Sequence, residues 1–138
     1  MNKTEIDEKN TYKPETCENV YEKDFLTKLF DLQFLYVDET CKIEFNVEDF
    51  MHNPLHVLHG GVIAFILDTA MGHLCKKEIG TAVTVEMKVQ YFKGVCAGKL
   101  TCEAKFLKKG RSIQFLESKM TDSEGNLLAM ATGTFAKI

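Results

Sequence analysis

One acidic residue stands in a segment of this 138-residue chain that is otherwise suited to a protein interior. Residues 62–67 are all apolar, so no side of that segment is made for water, and Asp68 follows directly. A lone carboxylate in apolar surroundings costs several kcal/mol unless it is paired, protonated or used. Asp68 is therefore a candidate catalytic base or nucleophile. The alternative is a structural acid that caps another element or pairs with a lysine.

Two glycines, Gly60 and Gly61, precede this apolar segment at the predicted start of a helix. The first N–H groups of a helix have no internal partner and lie at the positive end of its dipole. Without side chains, such groups can be approached closely by an oxygen that gains negative charge in a reaction. Taken alone, a glycine pair is typical of a turn, and His59 of a hydrogen-bonded loop. Together with Asp68, they form a minimal set for acyl transfer.

The spacing of these groups has a geometric consequence. Asp68 lies eight residues after Gly60, which is about 12 Å along the axis of an α-helix. At that distance a carboxylate cannot act on a carbonyl held at the start of its own helix. If both serve one site, a second copy must supply the other half, most simply through antiparallel helices in a two-fold homodimer.

The elements around this helix follow from hydrophobic periodicity. Helical spacing predicts a short amphipathic helix around residues 25–30, at the edge of the domain, and strict alternation predicts strands elsewhere. The loop "DSEGN" predicts a hairpin in which Gly125 takes a positive φ. One helix with a series of consecutive strands indicates an α+β fold, with the sheet curled around the helix. The predicted strands cover residues 35–47, 83–91 (with Val83, Val85, Met87, Val89 and Tyr91 inward), 100–106, 111–121 and 127–137.

Composition limits the class of protein. Apolar residues make up 45% and charged residues 27%, which is ordinary for a soluble globular domain. We predict a polar tail over residues 1–18 and a single domain over 19–138. A net charge of −3 does not favour nucleic acid binding, and no apolar run is long enough for a membrane span. The five cysteines lack paired spacing, which predicts no metal site, no disulfide framework and a cytoplasmic setting.

The motif formed by Asn53, His59, Gly60, Gly61 and Asp68 reads N-x5-HGG-x6-D. It resembles the PaaI-like branch of the hotdog-fold acyl-CoA thioesterases, in the 4-hydroxybenzoyl-CoA thioesterase superfamily. The resemblance extends over about residues 35–138. It implies the hotdog fold, a curved antiparallel sheet wrapped around one long buried helix, and it places His59 in the site with the other four.

The resemblance also implies roles for individual residues. The N–H of Gly60 would bind the thioester carbonyl oxygen, which Asn53 would help to polarise. Asp68 would activate water or attack the carbonyl, and Thr84 would help to position that water, with Thr81 as the fallback. The alternation of the strand places Thr84 opposite the apolar set, so this role requires the sheet to present that face to the site.

Coenzyme A is implied as part of the substrate and product, with no other cofactor required. Lys108, Lys109, Gly110 and Arg111 form a predicted turn that could bind its phosphates, although a solvated basic hairpin is an equally good interpretation. Lys93 is a weaker candidate. The resemblance implies a homodimer with composite sites and leaves a dimer of dimers open.

Two other functions compete with hydrolysis. The domain could bind acyl-CoA without cleaving it, as a sensor does, or it could be a hotdog dehydratase. The segment before the first strand is too acidic and too poor in helix for a DNA-binding motif, and Asp68 favours an enzyme. The dehydratases differ from this chain around their histidine. The sequence leaves aryl, medium-chain and long-chain acyl groups open.

Overall fold

A computed structural model describes residues 24–138 of the chain. The predicted tail over residues 1–18 and the first part of the predicted domain lie outside these residues. The described elements are helix α1 (Phe25–Leu29), strands β1 (Gln33–Val37) and β2 (Thr40–Asn46), a 3-10 turn (Asp49–Met51), helix α2 (Gly60–Glu78), and strands β3 (Ala82–Tyr91), β4 (Lys99–Lys109), β5 (Ile113–Asp122) and β6 (Leu127–Lys137).

The six strands form one antiparallel sheet in the order β1-β2-β4-β5-β6-β3. Helix α2 packs against β2 to β6 on one face of this sheet, which confirms the predicted α+β arrangement. Strand β6 has the predicted bounds, β4 includes the predicted segment, and Gly125 has a φ of 83° in the β5–β6 hairpin. Among the described residues, no helix is long and apolar enough to span a membrane.

Helix α2 is the centre of the core. Its N-cap is His59, and its C-terminus closes at Gly80, whose φ is 115° and whose N–H donates to the carbonyl of Cys75. Ser118 on β5 donates its hydroxyl proton to the carbonyl of Leu67 at 2.9 Å and so fixes the helix on the sheet. Each large apolar side chain that the helix buries contributes roughly 1.5–3 kcal/mol. The buried residues of the helix are the large Ile63, Ile66, Leu67, Met71 and Leu74 and the smaller Ala70 and Cys75.

The prediction of a single strand over residues 35–47 is wrong. The segment is a hairpin in which Val37 pairs with Thr40 across a two-residue turn, and Asp38 adopts a φ of 52°. The alternation of apolar and polar residues stays in phase through the turn, and for that reason the pattern gives no sign of it. Leu35 and Val37 are consequently exposed at the edge of the sheet. The β2 residues of the pattern are buried as predicted: Cys41, Ile43 and Phe45.

Strand β3 changes phase at a bulge, and the predicted inward set is only partly correct. Thr84 pairs with Phe135, whereas Glu86 pairs with Thr134, so Val85 is the extra residue. Val83 and Val85 are 46% and 58% exposed. Beyond the bulge the apolar alternation holds, since Met87 and Val89 pack against the core.

Helix α1 and strand β5 also differ in detail from the prediction. The helix is a single short turn whose Phe25 is exposed, and the neighbouring Phe30 is the residue of this segment that enters the core. Strand β5 begins at Ile113 rather than at residue 111, because residues 110–112 form the turn from β4.

Candidate active site

The start of helix α2 is held by the residue before it. His59 Nδ1 accepts a hydrogen bond from the N–H of Gly61 at 2.7 Å, and the His59 carbonyl accepts from Val62 and Ile63. No acceptor for the N–H of Gly60 lies among residues 24–138. That group is therefore available to an oxygen atom of a ligand, as the sequence predicted.

Tyr91, at the end of β3, lies against the same glycine. Its hydroxyl donates to the carbonyl of Gly60 at 2.8 Å, and its ring would lie 3.4 Å from a Cβ at that position. The sequence analysis missed this residue as part of the site. Its place at the end of a predicted strand was visible, but a contact across 31 residues leaves no local pattern.

Asn53 organises the loop that leads into the helix. Its Oδ1 accepts from the N–H groups of Leu55 and Val57 at 2.9 and 3.3 Å, and its own N–H donates to the carbonyl of Val57. These bonds use the acceptor end of the side chain. Within residues 24–138 the donor end, Nδ2, has no such bond. The loop is closed by the His59 N–H, which donates to the carbonyl of Met51 at 2.8 Å.

Asp68 lies on α2 at the edge of the core, half-buried, and not inside it as the apolar pattern suggested. Its Oδ1 accepts a hydrogen bond from Thr84 Oγ1 at 2.7 Å. The bulge at Val85 explains how Thr84 reaches the helix, because the strand presents Thr84 and the core residues after the bulge on the same face. Thr81 lies instead near the end of the helix, 3.4 Å from Lys76 Nζ.

A cleft of about 410 Å³ opens beside Asp68. Gly72 forms part of its wall, and because glycine has no side chain the cleft reaches the helix backbone there. A Cβ at this position would lie 3.8 Å from the Phe135 ring. His73 stacks on Phe34 with ring centroids 4.5 Å apart. Burial lowers the pKa of His73 from 6.5 to about 4. The negative charge of Asp24 raises this pKa, but its effect is smaller than that of burial. The cleft is lined by Asp24, Asp68, Thr69, Gly72, His73, Ala82, Val83, Thr84 and Phe135.

The basic turn between β4 and β5 is held by a buried amide. Gln114, 1% exposed, accepts from the N–H of Gly110 at 2.9 Å and donates to the carbonyl of Gly110 at 2.8 Å. A Cβ on Gly110 would lie 2.2 Å from the Ile113 carbonyl oxygen, so glycine is required there. Lys108 and Arg111 are exposed beside it. Sequence reasoning identified the turn but not Gln114.

Two other lysines were predicted to bind the phosphates of coenzyme A. One of them is paired with a glutamate, and the other lies far from the basic turn. Lys109 forms an ion pair with Glu39 at 2.5 Å. Lys93 bonds through its N–H to the carbonyl of Leu128, near the start of β6, whereas the basic turn adjoins Lys137 at the end of that strand. The two sites are therefore about 30 Å apart along β6. Within residues 24–138, no three His, Cys, Asp or Glu side chains converge as metal ligands.

The family model of the thioesterase superfamily matches residues 55–129, which include His59, both glycines of the motif and Asp68. The chain therefore belongs to the thioesterase superfamily. It is 30% identical over 95 residues to acyl-coenzyme A thioesterase 13 of Homo sapiens, covering 66% of this chain and 68% of that protein.

Solved structures show the same fold. The PaaI protein of the E. coli phenylacetic acid degradation operon matches with a TM-score of 0.82 at 21% identity, over 90% of this chain and 91% of that one. A thioesterase of Haemophilus influenzae matches with a TM-score of 0.79 at 20% identity, over 93% and 92%. The predicted hotdog fold and the resemblance to PaaI-like thioesterases are confirmed.

Proposed function

We propose that this protein hydrolyses an acyl-CoA thioester to the free acid and coenzyme A. The observation that carries the proposal is the environment of Asp68, whose carboxylate borders the cleft and is held by Thr84 at 2.7 Å. One structural alternative for this acid is a pair with a lysine. No ion pair within residues 24–138 involves Asp68. Acyl-coenzyme A thioesterase 13, a relative by sequence, supports the same class of substrate.

The reaction needs two groups. Asp68 takes a proton from water as the water oxygen attacks the thioester carbonyl, or it attacks the carbonyl itself and water then cleaves the anhydride. The N–H of Gly60 stabilises the negative charge on the carbonyl oxygen, and the Nδ2 group of Asn53 is a second candidate donor. With water as the nucleophile, the C–S bond breaks as the tetrahedral intermediate collapses, and the thiolate of coenzyme A takes the proton from Asp68. With Asp68 as the nucleophile, the C–S bond breaks as the anhydride forms; the water that then cleaves the anhydride gives one proton to the thiolate and the other to the acid product. This scheme requires no further cofactor.

We propose that the active unit is a homodimer with two composite sites, because Gly60 and Asp68 are about 12 Å apart along α2. Strand β3 supports this arrangement, since it is an edge strand of the sheet and carries the exposed side chains of Val83 and Val85. An unpaired edge with apolar side chains is suited to pairing with another strand. A dimer of dimers is compatible with the same contact.

The phosphates of coenzyme A are assigned to the basic turn. Lys108 and Arg111 are exposed there, around a backbone turn that Gln114 holds in place. Lys109 contributes less because it is paired with Glu39. We propose a cytoplasmic location, for which the free thiols of the described cysteines are suited.

A panel of acyl-CoA substrates tests the reaction class. Release of free thiol is expected. Binding without thiol release would instead make the domain a sensor, and formation of a conjugated enoyl product would make it a dehydratase. The chain lengths that react would also identify the acyl preference.

Complementation tests the composite site. Asp68→Asn removes the acid, and Gly60→Pro removes the N–H at a helix position where proline is tolerated. In a mixed dimer one site carries both changes and the other carries neither. Random exchange gives about half mixed dimers, so about a quarter of wild-type activity should return. If two folded, dimeric variants recover no activity together, Gly60 and Asp68 do not share a site.

A further inference from the structure

The peptide groups on both sides of Gly60 are fixed in different ways. In the peptide before it, the His59 carbonyl accepts bonds from Val62 and Ile63. In the peptide after it, the N–H of Gly61 donates to His59 Nδ1 at 2.7 Å and the carbonyl of Gly60 accepts from Tyr91 at 2.8 Å. Three of the four polar groups in these two peptides are thus engaged, and the fourth is the N–H of Gly60.

We propose that Tyr91 is a positioning residue for the oxyanion donor, an inference that rests on the proposed function. Glycine is the residue with the most backbone freedom, so the peptides before and after Gly60 can turn relative to each other unless both are held. The Tyr91 hydroxyl and His59 Nδ1 together hold the Gly60–Gly61 peptide at both ends. With the preceding peptide held by the helix, the N–H of Gly60 keeps one direction before substrate binds, which is the condition for efficient oxyanion stabilisation.

The place of Tyr91 outside the core argues against a role in holding the fold of one chain together. Within one chain its side chain is 53% exposed, and it is not part of the buried core. Loss of its hydroxyl should therefore change the stability of the fold little. The ring also lies against Gly60, 3.4 Å from the place of a Cβ, so it limits movement of this turn from the outside.

The test is Tyr91→Phe, which keeps the ring and removes the hydroxyl. We expect kcat for a hydrolysed acyl-CoA to fall about three- to ten-fold, the range of a single hydrogen bond. The KM should stay within about two-fold, because the bond to the oxyanion strengthens in the transition state. Thr134→Val is the matched control. It removes a hydroxyl that bonds Glu86 across the same pair of strands, but on the other face of the sheet, and kcat should not change.

A readout that does not depend on activity is the amide spectrum. Selective ¹⁵N labelling of the nine glycines reports Gly60 and Gly61 directly. In Tyr91→Phe we expect both signals to shift or broaden, whereas the signal of Gly125, in a distant hairpin, stays in place. Unchanged signals of Gly60 and Gly61 would overturn the proposal.

Asp68→Asn, measured in the same series, separates this inference from the function on which it rests. If Asp68→Asn is inactive and Tyr91→Phe has wild-type kcat, the positioning role is wrong and the proposed function stands. If the wild-type protein hydrolyses no acyl-CoA, the proposed function and the positioning role fail together. An equal loss of kcat in Tyr91→Phe and Thr134→Val would also overturn the proposal, because it would indicate a general effect on the sheet.

Discussion

The Gly60 half and the Asp68 half of the candidate site lie on one helix but are stabilised differently. The Gly60 half is a backbone group whose direction depends on two side chains, those of His59 and Tyr91. The Asp68 half is a side-chain carboxylate that, among residues 24–138, accepts one hydrogen bond, from Thr84. Strand β3 serves both, with Thr84 near its start and Tyr91 at its end.

The difference lies in how one helix–strand pair holds two kinds of candidate catalytic group. A backbone donor is removed only by substitution with proline, but it can also be misdirected when its supports are lost. A carboxylate can be removed by a single near-isosteric change. The two halves should therefore differ in how far each substitution lowers the rate.

The largest effect is expected at the Asp68 half. Asp68→Asn should keep the fold and lower turnover by roughly two to four powers of ten, because general-base or nucleophilic catalysis is lost. Asp38→Asn, in the β1–β2 turn, is a matched control, since asparagine also tolerates its positive φ. Turnover within a few-fold of wild type in Asp68→Asn, or a collapsed melting transition, would show that this acid is structural.

Low pH should destabilise the folded protein through His73, which lines the cleft beside Asp68. The folded protein holds the pKa of His73 near 4, against 6.5 for an exposed histidine, because burial disfavours the charged ring. The unfolded chain therefore binds more protons between these values. The contribution of His73 to the free energy of unfolding is fully present above about pH 6.5. It is lost as the pH falls toward 4, by at most about 3 kcal/mol. Melting curves of wild type and His73→Gln across this range check the sign, and an equal pH dependence in both would exclude His73 as the cause.

A smaller effect on turnover is expected when Asp68 loses its hydrogen bond from Thr84. Thr84→Val removes the hydroxyl that donates to the carboxylate and should lower kcat about ten-fold, near the low end for a hydrogen bond to a charged group. Thr81→Val is the control, because its hydroxyl lies near Lys76 instead. If Thr81→Val is the more damaging change, the fallback residue of the sequence analysis has the role assigned to Thr84.

The smallest effect concerns the basic turn, outside both halves. Arg111→Ala should raise the KM for acyl-CoA several-fold while changing the KM for an acyl-pantetheine, which lacks the nucleotide phosphates, very little. Lys99→Ala, which removes an exposed lysine paired with Glu44, serves as the control. Equal effects of Arg111→Ala on both substrates would place the nucleotide elsewhere.

The sequence predicted those features that depend on local pattern. The helix begins at Gly60 as the glycine pair indicated, and the alternation within β4 and β6 matches the buried faces of those strands. The motif also placed Gly60 and Asp68 eight residues apart on one helix, and helix α2 contains both. These features depend on residues that are neighbours in the chain or repeat with a fixed period.

The features that the sequence did not predict depend on distant contacts or on a single inserted residue. The bulge at Val85 adds one residue to a strand whose composition stays typical of a strand, so counting by two gives the wrong face for Thr84. The bond from Tyr91 to Gly60 joins segments 31 residues apart. Gln114 follows its strand's inward pattern, and only the fold reveals that its amide binds Gly110.

The bulge also divides β3 into two parts that can vary separately over evolution. Substitutions at Met87 or Val89 alter the packing of the core, while substitutions at Ala82 or Thr84 alter the cleft. A deletion of Val85 is different in kind, because it removes only the extra residue: Thr84 and Glu86 become neighbours, still opposite Phe135 and Thr134, and the rest of the strand keeps its faces. The strand therefore tolerates a change of length at this one position, and natural variants of the segment should include chains that lack the bulge residue and still present the equivalents of Thr84 and Met87 on one face.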